Sequence, residues 1–376
     1  MRILIAGDFC PKYELKNFLT SDSSNLVFAG VKEWITKADY SILNLECPIV
    51  KSKAKPIEKE GPNLYCSEDA FLPVVEAGFK CVTLANNHFR DYGNDGCSDT
   101  ISSLDTHNID HIGGGKNLEE ASRILYKQIN CCNIAFINCC EHEFSIADSN
   151  NAGSCPMDLV DIPRKILEAK GKADYVIVIT HGGNELYDYP SPRMQKTYRW
   201  FIELGADAVV NHHQHCISGY EVYDGKPIFY GLGNFCFDTI SKCPSKWNEG
   251  YMVLLTLDEN KAKDPAFECI PYRQCQNNYL VCKPSPKELE AFEQKLARIN
   301  HIISNPQKLE MQYSEFMRSE YKNKSISLMP YSNKYLRYAC KKGLLPSFIT
   351  KQRKRLILAH TQCESLRDVF LYYLKH

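Results

Sequence analysis

The chain has no net charge: 45 Lys and Arg balance 45 Asp and Glu over 376 residues, which argues against obligate nucleic-acid binding through bulk electrostatics. It has no uninterrupted apolar run near the length of about eighteen residues that a spanning helix needs, so no membrane span is expected. Among 18 cysteines no C-x-x-C pair occurs, which argues against a zinc ribbon. No signal-peptide pattern precedes Arg2-Ile3-Leu4-Ile5, so the thiols are expected to be reduced and mostly buried, and the protein cytoplasmic. A phosphate loop is missing too, because Gly113-Gly114-Gly115 leads into neither G-x-G-x-x-G nor G-K-[ST] and reads as a tight turn.

What is present is an ordinary globular composition, 44% hydrophobic and 24% charged, in a chain longer than one usual domain. The charge is unevenly spread. From Lys283 to His376 there are 18 Lys/Arg against 8 Asp/Glu, about +10, which leaves residues 1–282 at about −10. Pro284-Ser285-Pro286 marks the boundary, so the expected organisation is a domain over 1–282 and a basic, mainly helical extension over 283–376. Helical spacing appears at 288–303, 335–341 and 366–374. The cluster Lys351, Arg353, Lys354 and Arg355 is a solvated face or a surface for an anionic polymer or phospholipid, with nucleic acid the weakest of its partners.

The first 240 or so residues repeat one pattern, an apolar strand-like run that stops at a ligand-type side chain. Arg2-Ile3-Leu4-Ile5-Ala6-Gly7 ends at Asp8, and a polar-faced helical segment follows. Ser41-Ile42-Leu43-Asn44-Leu45 ends at Glu46, and Cys81-Val82-Thr83-Leu84-Ala85 ends at Asn86-Asn87-His88 with Asp91 just beyond. Tyr175 to Thr180 ends at His181, and Ala208-Val209-Val210 ends at Asn211-His212-His213-Gln214-His215. The H-x-H spacing puts His213 and His215 on one side if the segment stays extended. Strands alternating with helices imply an α/β fold, and parallel strands would bring these ends to one rim. Neutral imidazoles beside carboxylates suit divalent Mn, Fe or Zn. By contrast, 51–60 is polar and Lys-rich and reads as a mobile surface loop.

Gly7-Asp8, Asn44-Leu45-Glu46, Asn86-Asn87-His88 with Asp91-Tyr92-Gly93, His181-x-Gly183, His213-x-His215 and Gly231-Leu232-Gly233-Asn234-Phe235 together resemble the CapA family. These are bacterial capsule or poly-γ-glutamate biosynthesis proteins similar to calcineurin-like metallophosphoesterases, and the likeness runs over roughly residues 1–238. It implies a four-layer α/β/β/α metallophosphoesterase-like sandwich with a two-metal site at the rim of two sheets. Carried over residue by residue, it makes Glu46 the bridging carboxylate, with Asp8 and His215 on one metal and Asn87, His181 and His213 on the other. His88 becomes the proton donor to the leaving group and Asp91 its orienting partner.

Two departures stand out. Cys10 occupies the place of a histidine ligand and reads as packing, and Glu46 replaces an aspartate. The cofactor implied is one or two divalent ions per chain, Mn2+ first, with Fe or Zn as alternatives. The function implied is metal-dependent hydrolysis of a phosphoester or a γ-glutamyl amide in capsule or surface-polymer biosynthesis. Its substrate would be an anionic polymer or a phosphorylated compound. The alternatives are a non-catalytic metal-binding assembly protein of a capsule-synthesis complex and, third, a nuclease; under any of these readings the basic extension allows a peripheral place at the inner membrane surface or in such a complex.

Overall fold

The computed structural model describes residues 1–11, 26–51, 54–237, 245–275, 280–327, 333–345, 348 and 350–375. The helical segment expected after Asp8 falls largely on 12–25, outside the described residues.

The described strands form two large sheets. The eight-stranded sheet runs β16 (Val281–Cys282), β15 (Ala266–Gln274), β14 (Glu249–Thr256), β1 (Arg2–Cys10), β2 (Tyr40–Leu45), β3 (Cys81–Thr83) and β4 (Asp110–Ile112), with β13 (Asn234–Phe237) also paired to β1. The six-stranded sheet runs β11 (Tyr220–Tyr223), β12 (Lys226–Phe229), β10 (Ala208–His212), β9 (Tyr175–His181), β7 (Cys132–Cys140) and β6 (Leu125–Ile129). A small ribbon pairs β5 (Gly114–Gly115) with β8 (Gly153–Ser154). Strands β1 to β4 are mutually parallel, as are β7, β9, β10 and β12, so in each sheet the carboxyl ends of these strands lie along one edge.

Strand alternation builds the layers. On β1, Leu4 and Ala6 join Ile35 of α1 (Lys32–Lys37), Phe71 and Val74 of α2 (Glu68–Ala77) and Leu104 of α3 (Gly93–Thr106) in one apolar cluster. Their neighbours Ile3 and Ile5 face the other way and meet Phe136, Ile177, Ile179 and Val210 from the second sheet. On that sheet the intervening Val176, Val178 and Val209 pack outward with Ile162 and Ile166 of α5 (Asp161–Lys170) and Phe201 of α6 (Pro192–Glu203). The short α4 (Leu118–Ala121) contacts the ribbon. The period of two in side-chain direction thus makes three cores between four layers, α/β/β/α. Each fully buried aliphatic side chain contributes roughly 1.5–3 kcal/mol.

The chain divides into two compact units, Met1–Leu309 and Glu310–His376. The first unit extends past the charge boundary at 282/283 because α7 (Pro286–Ile303) belongs to it. This helix opens with a capping box, in which Ser285 and Glu288 satisfy each other's free N–H groups. Its buried stripe Phe292, Leu296, Ile299 and Ile303 joins the inter-sheet and outer cores. Helical spacing carried that apolar stripe; the charged remainder of the helix tilted the composition count.

Helix α8 (Pro306–Ser327) begins in the last residues of the first unit, and the second unit comprises its remainder from Glu310 with α9 (Lys334–Lys341), α10 (Lys351–Gln362) and α11 (Glu364–Lys375), the last two in mutual contact. Lys351, Arg353, Lys354 and Arg355 are exposed on α10. Among the described residues no helix is long and apolar enough to cross a membrane, and the cysteines are free thiols.

Candidate metal centre

Each ligand-type residue sits where a parallel strand ends. Asp8 lies on β1 at a double irregularity, with register shifts against β2 between Ala6 and Asp8 and against β13 between Asp8 and Phe9. The close approach of β13 explains Gly7, since a Cβ there would lie 2.0 Å from the Gly233 carbonyl oxygen. Glu46 follows β2 and is fixed by its N–H donating to the Phe9 carbonyl at 2.9 Å. Beyond β3, Asn86 Nδ2 donates to the Leu45 carbonyl at 2.8 Å and its Oδ1 accepts from the His88 N–H at 3.1 Å, which turns Asn87 and His88 toward the rim. His181 closes β9 on the opposing sheet.

The histidine cluster does not follow the extended path its spacing suggested. Strand β10 stops at His212, and both His213 (φ 91°) and His215 (φ 52°) are left-handed. That conformation costs a non-glycine residue roughly 1–3 kcal/mol and is typical of functional sites. The two rings converge because the backbone coils, not because a strand alternates.

All six proposed ligand residues meet in one pocket. Glu46 Oε1 lies 3.4 Å from His215 Nε2 and 3.9 Å from His181 Nε2. His181 Nε2 is 3.1 Å from His213 Nδ1 and 3.0 Å from Asn87 Oδ1, and Asp8 Oδ2 is 3.5 Å from His215 Nδ1. Two sets of donor atoms, Glu46 with His181 and His213, and Asp8 with Glu46 and His215, each lie within 4.8 Å of one another. Glu46 is common to both sets, and each set draws on both sheets.

The electrostatics are those of an incomplete site. Glu46 is fully buried and neither carboxylate oxygen has a hydrogen-bond partner. Burial first, and then the charge of Asp8, push its carboxyl well above the usual range. For Asp8, burial pushes upward too, but the adjacent imidazoles of His212 and His215 outweigh it and hold the group well below the usual carboxylate range. Burial and the neighbouring imidazole of His213 hold His181 well below its ordinary value. His213 is pushed down to about 4 by burial and by His215. These imidazoles are therefore neutral near pH 7, with lone pairs free for coordination. Orphaned carboxylate oxygens among neutral imidazoles and an amide oxygen fit a divalent cation with mixed oxygen and nitrogen preference.

His88 and Asp91 form a separate cluster beside these groups. His88 Nδ1 is 2.6 Å from Asp91 Oδ2, and that oxygen also accepts from the Leu64 N–H at 2.6 Å. The other Asp91 oxygen is ion-paired to Lys59, whose Nζ is 3.2 Å from His88 Nδ1. Burial lowers the His88 pKa against the pull of Asp91. Lys59 corrects the reading of 51–60 as a mobile surface loop, because its side chain is only 3% exposed and pinned by Asp91.

Sequence reasoning missed other members. Asn44 Nδ2 donates to Asp8 Oδ1 at 2.7 Å and lies 3.3 Å from His181 Nδ1. His212 Nδ1 lies 3.2 Å from Asp8 Oδ1, and Asn234 Oδ1 is 2.9 Å from His215 Nδ1. Their signal was position: each is one to three residues from a glycine or ligand at a strand end. Cys10, buried in the cluster beneath the first helices, falls in neither donor set.

A four-layer sandwich whose two sheets bring carboxylate and imidazole groups to a common rim defines an α/β/β/α protein with a candidate dinuclear metal pocket. The family model described as bacterial capsule synthesis protein PGA_cap matches residues 2–239, and the chain belongs to that family. It is 32% identical over 246 residues to the capsule biosynthesis protein CapA of Bacillus anthracis, a match covering 63% of this chain and 60% of that one. It is also 32% identical over 237 residues to the PGA biosynthesis protein CapA of Bacillus subtilis, covering 62% of each. The match thus spans about three fifths of these curated relatives. Among solved structures, a phosphatase from Mycoplasma pneumoniae aligns with a TM-score of 0.45 at 15% identity, over 77% of this chain and 96% of that one.

Proposed function

We propose that the chain is a divalent-metal-dependent hydrolase acting in capsule or surface-polymer assembly, on a phosphoester or a γ-glutamyl amide. The observation that carries this reading is Glu46, a buried carboxylate with both oxygens unpartnered amid His181, His213, His215 and Asp8. Asp8, Glu46 and His215 would hold one ion, and Glu46, Asn87, His181 and His213 a second. Mn2+, or Fe or Zn, held there would supply a nucleophile at neutral pH and would stabilise charge building on a phosphoryl or carbonyl oxygen.

The remaining work falls to the chain's own groups. Asn44 and His212 orient Asp8. Asp91 holds His88 by Nδ1 and favours the imidazolium against the effect of burial; in that form Nε2 carries the proton to be handed to the departing oxygen. The names of the relatives tie them to capsule and PGA biosynthesis, and the polymer reading of the substrate extends that association to this chain.

A second reading, a non-catalytic metal-binding assembly protein, draws support from Cys10, which packs in the core where the resemblance implies an imidazole. Elemental analysis of the purified protein, run beside phosphodiester and γ-glutamyl substrates with added Mn2+, separates the two. Hydrolysis lost in both His213→Ala and His88→Ala supports the enzyme. Bound metal with no turnover on either bond type supports the assembly role.

A further inference from the structure

Next to the His88–Asp91 loop lies an open cleft of about 390 Å³ lined by Lys55, Arg90, Tyr92, Gly93, Asn94 and Asp95. Two cationic side chains face it, and among the described residues neither has an ion-pair partner. Arg90 is the more informative. It is partly buried, its Nε is shut off from solvent with no hydrogen-bond partner, and its backbone is fixed by the N–H donating to Ser145 Oγ at 3.2 Å. The nearby carboxylate of Asp148 is occupied by Asn150 and Asn151. Asp95, exposed in the first turn of α3, is the one acidic residue of the lining. That turn has no side-chain cap, so its N–H groups add to the positive character of the wall.

Arg90 lines the cleft without a protein ion-pair partner among the described residues, so those of its guanidinium N–H groups that face the cleft are available to a carboxylate or phosphate oxygen. We propose that this cleft, whose wall includes Arg90 two residues on from His88, is an anion subsite that holds a carboxylate or phosphate group of the substrate. The subsite deepens the hydrolase reading and rests on it for the word substrate; its anion chemistry rests on Arg90 and Lys55 alone.

The test is calorimetric titration of the full chain, separately with inorganic phosphate and with a γ-linked glutamate pentamer, for wild type, Arg90→Gln and Lys55→Gln. Arg90→Gln is expected to weaken the bound probe by about tenfold or more, the loss of charge-assisted hydrogen bonds. Lys55→Gln is expected to weaken it less and to flatten its salt dependence, with bound metal and melting temperature unchanged in both. Whichever probe shows the Arg90 dependence identifies the anion. If Arg90→Gln folds poorly, Arg90→Lys should retain folding and lose most of the affinity. Binding of both probes unaffected by either substitution, or absent in wild type at millimolar probe, overturns the subsite. Arg90-dependent binding in a protein that hydrolyses nothing keeps the subsite and sinks the hydrolase, whereas turnover with Arg90-independent binding does the reverse.

Discussion

Two polar clusters lie at the strand ends, and they are built on opposite principles. Around Asp91 every charge is answered: Lys59 takes one oxygen, His88 and the Leu64 N–H share the other, and the group is closed within the protein. Around Glu46 the carboxylate is unanswered, since both oxygens are buried without a hydrogen-bond partner and burial keeps His181 and His213 neutral. Burying a charge is tolerable only when it is paired or coordinated. The closed cluster is therefore suited to positioning a side chain, and the open one has the donor set that a cation could use.

The largest effect that could break this contrast comes from Glu46→Ala or His213→Ala. Loss of a group that merely orients a ligand costs about 10–100-fold in metal affinity, so removing a shared ligand should exceed about 100-fold. Elemental analysis after gel filtration reads it, and full metal retention in both variants would dissolve the distinction. His88→Ala should keep its metal while turnover falls by about 100- to 10,000-fold, the span of general acid catalysis. Lys59→Met leaves Asp91 short of its cation inside the protein and should destabilise by about 3–5 kcal/mol, lowering the melting temperature by several degrees without releasing metal.

The smallest effect concerns pH in chelator-treated protein. A carboxyl whose folded-state pKa is raised, as burial raises that of Glu46, stabilises the fold below its unfolded value and loses that contribution as pH climbs through the folded one. Asp8, held low, acts in the opposite sense, so the two must be compared by substitution. Glu46→Gln in metal-free protein should stay closer to its acid melting temperature between about pH 5 and pH 8 than wild type does. Parallel melting curves would show that Glu46 carries no such burden.

Much of this was legible in the sequence because a strand of a buried parallel sheet is an apolar run, and an apolar run that stops at Asp8, Glu46, Asn87, His181 or His213 leaves few other readings. The two-sheet layering followed from the family resemblance and is visible in the alternation of Ile3 and Ile5 against Leu4 and Ala6. Lys59 was illegible because composition describes a loop by its majority, and one buried lysine among exposed ones has no local signature. Asn44 and His212 escaped for a different reason: a strand-end position marks them, but their role depends on contacts to Asp8 across 36 and 204 positions of sequence respectively, which no local pattern encodes. The left-handed turn at His213 and His215 was hidden because nothing in those residue types demands it.

Among the described residues the two large sheets share no strand, yet Asp8, Glu46 and Asn87 come from one and His181, His213 and His215 from the other. A cation gripped there is a rivet between two slabs. Its arrival would tie the halves of the sandwich at the one edge where hydrophobic packing gives way to charge, so that loading the site and bracing the molecule become a single event.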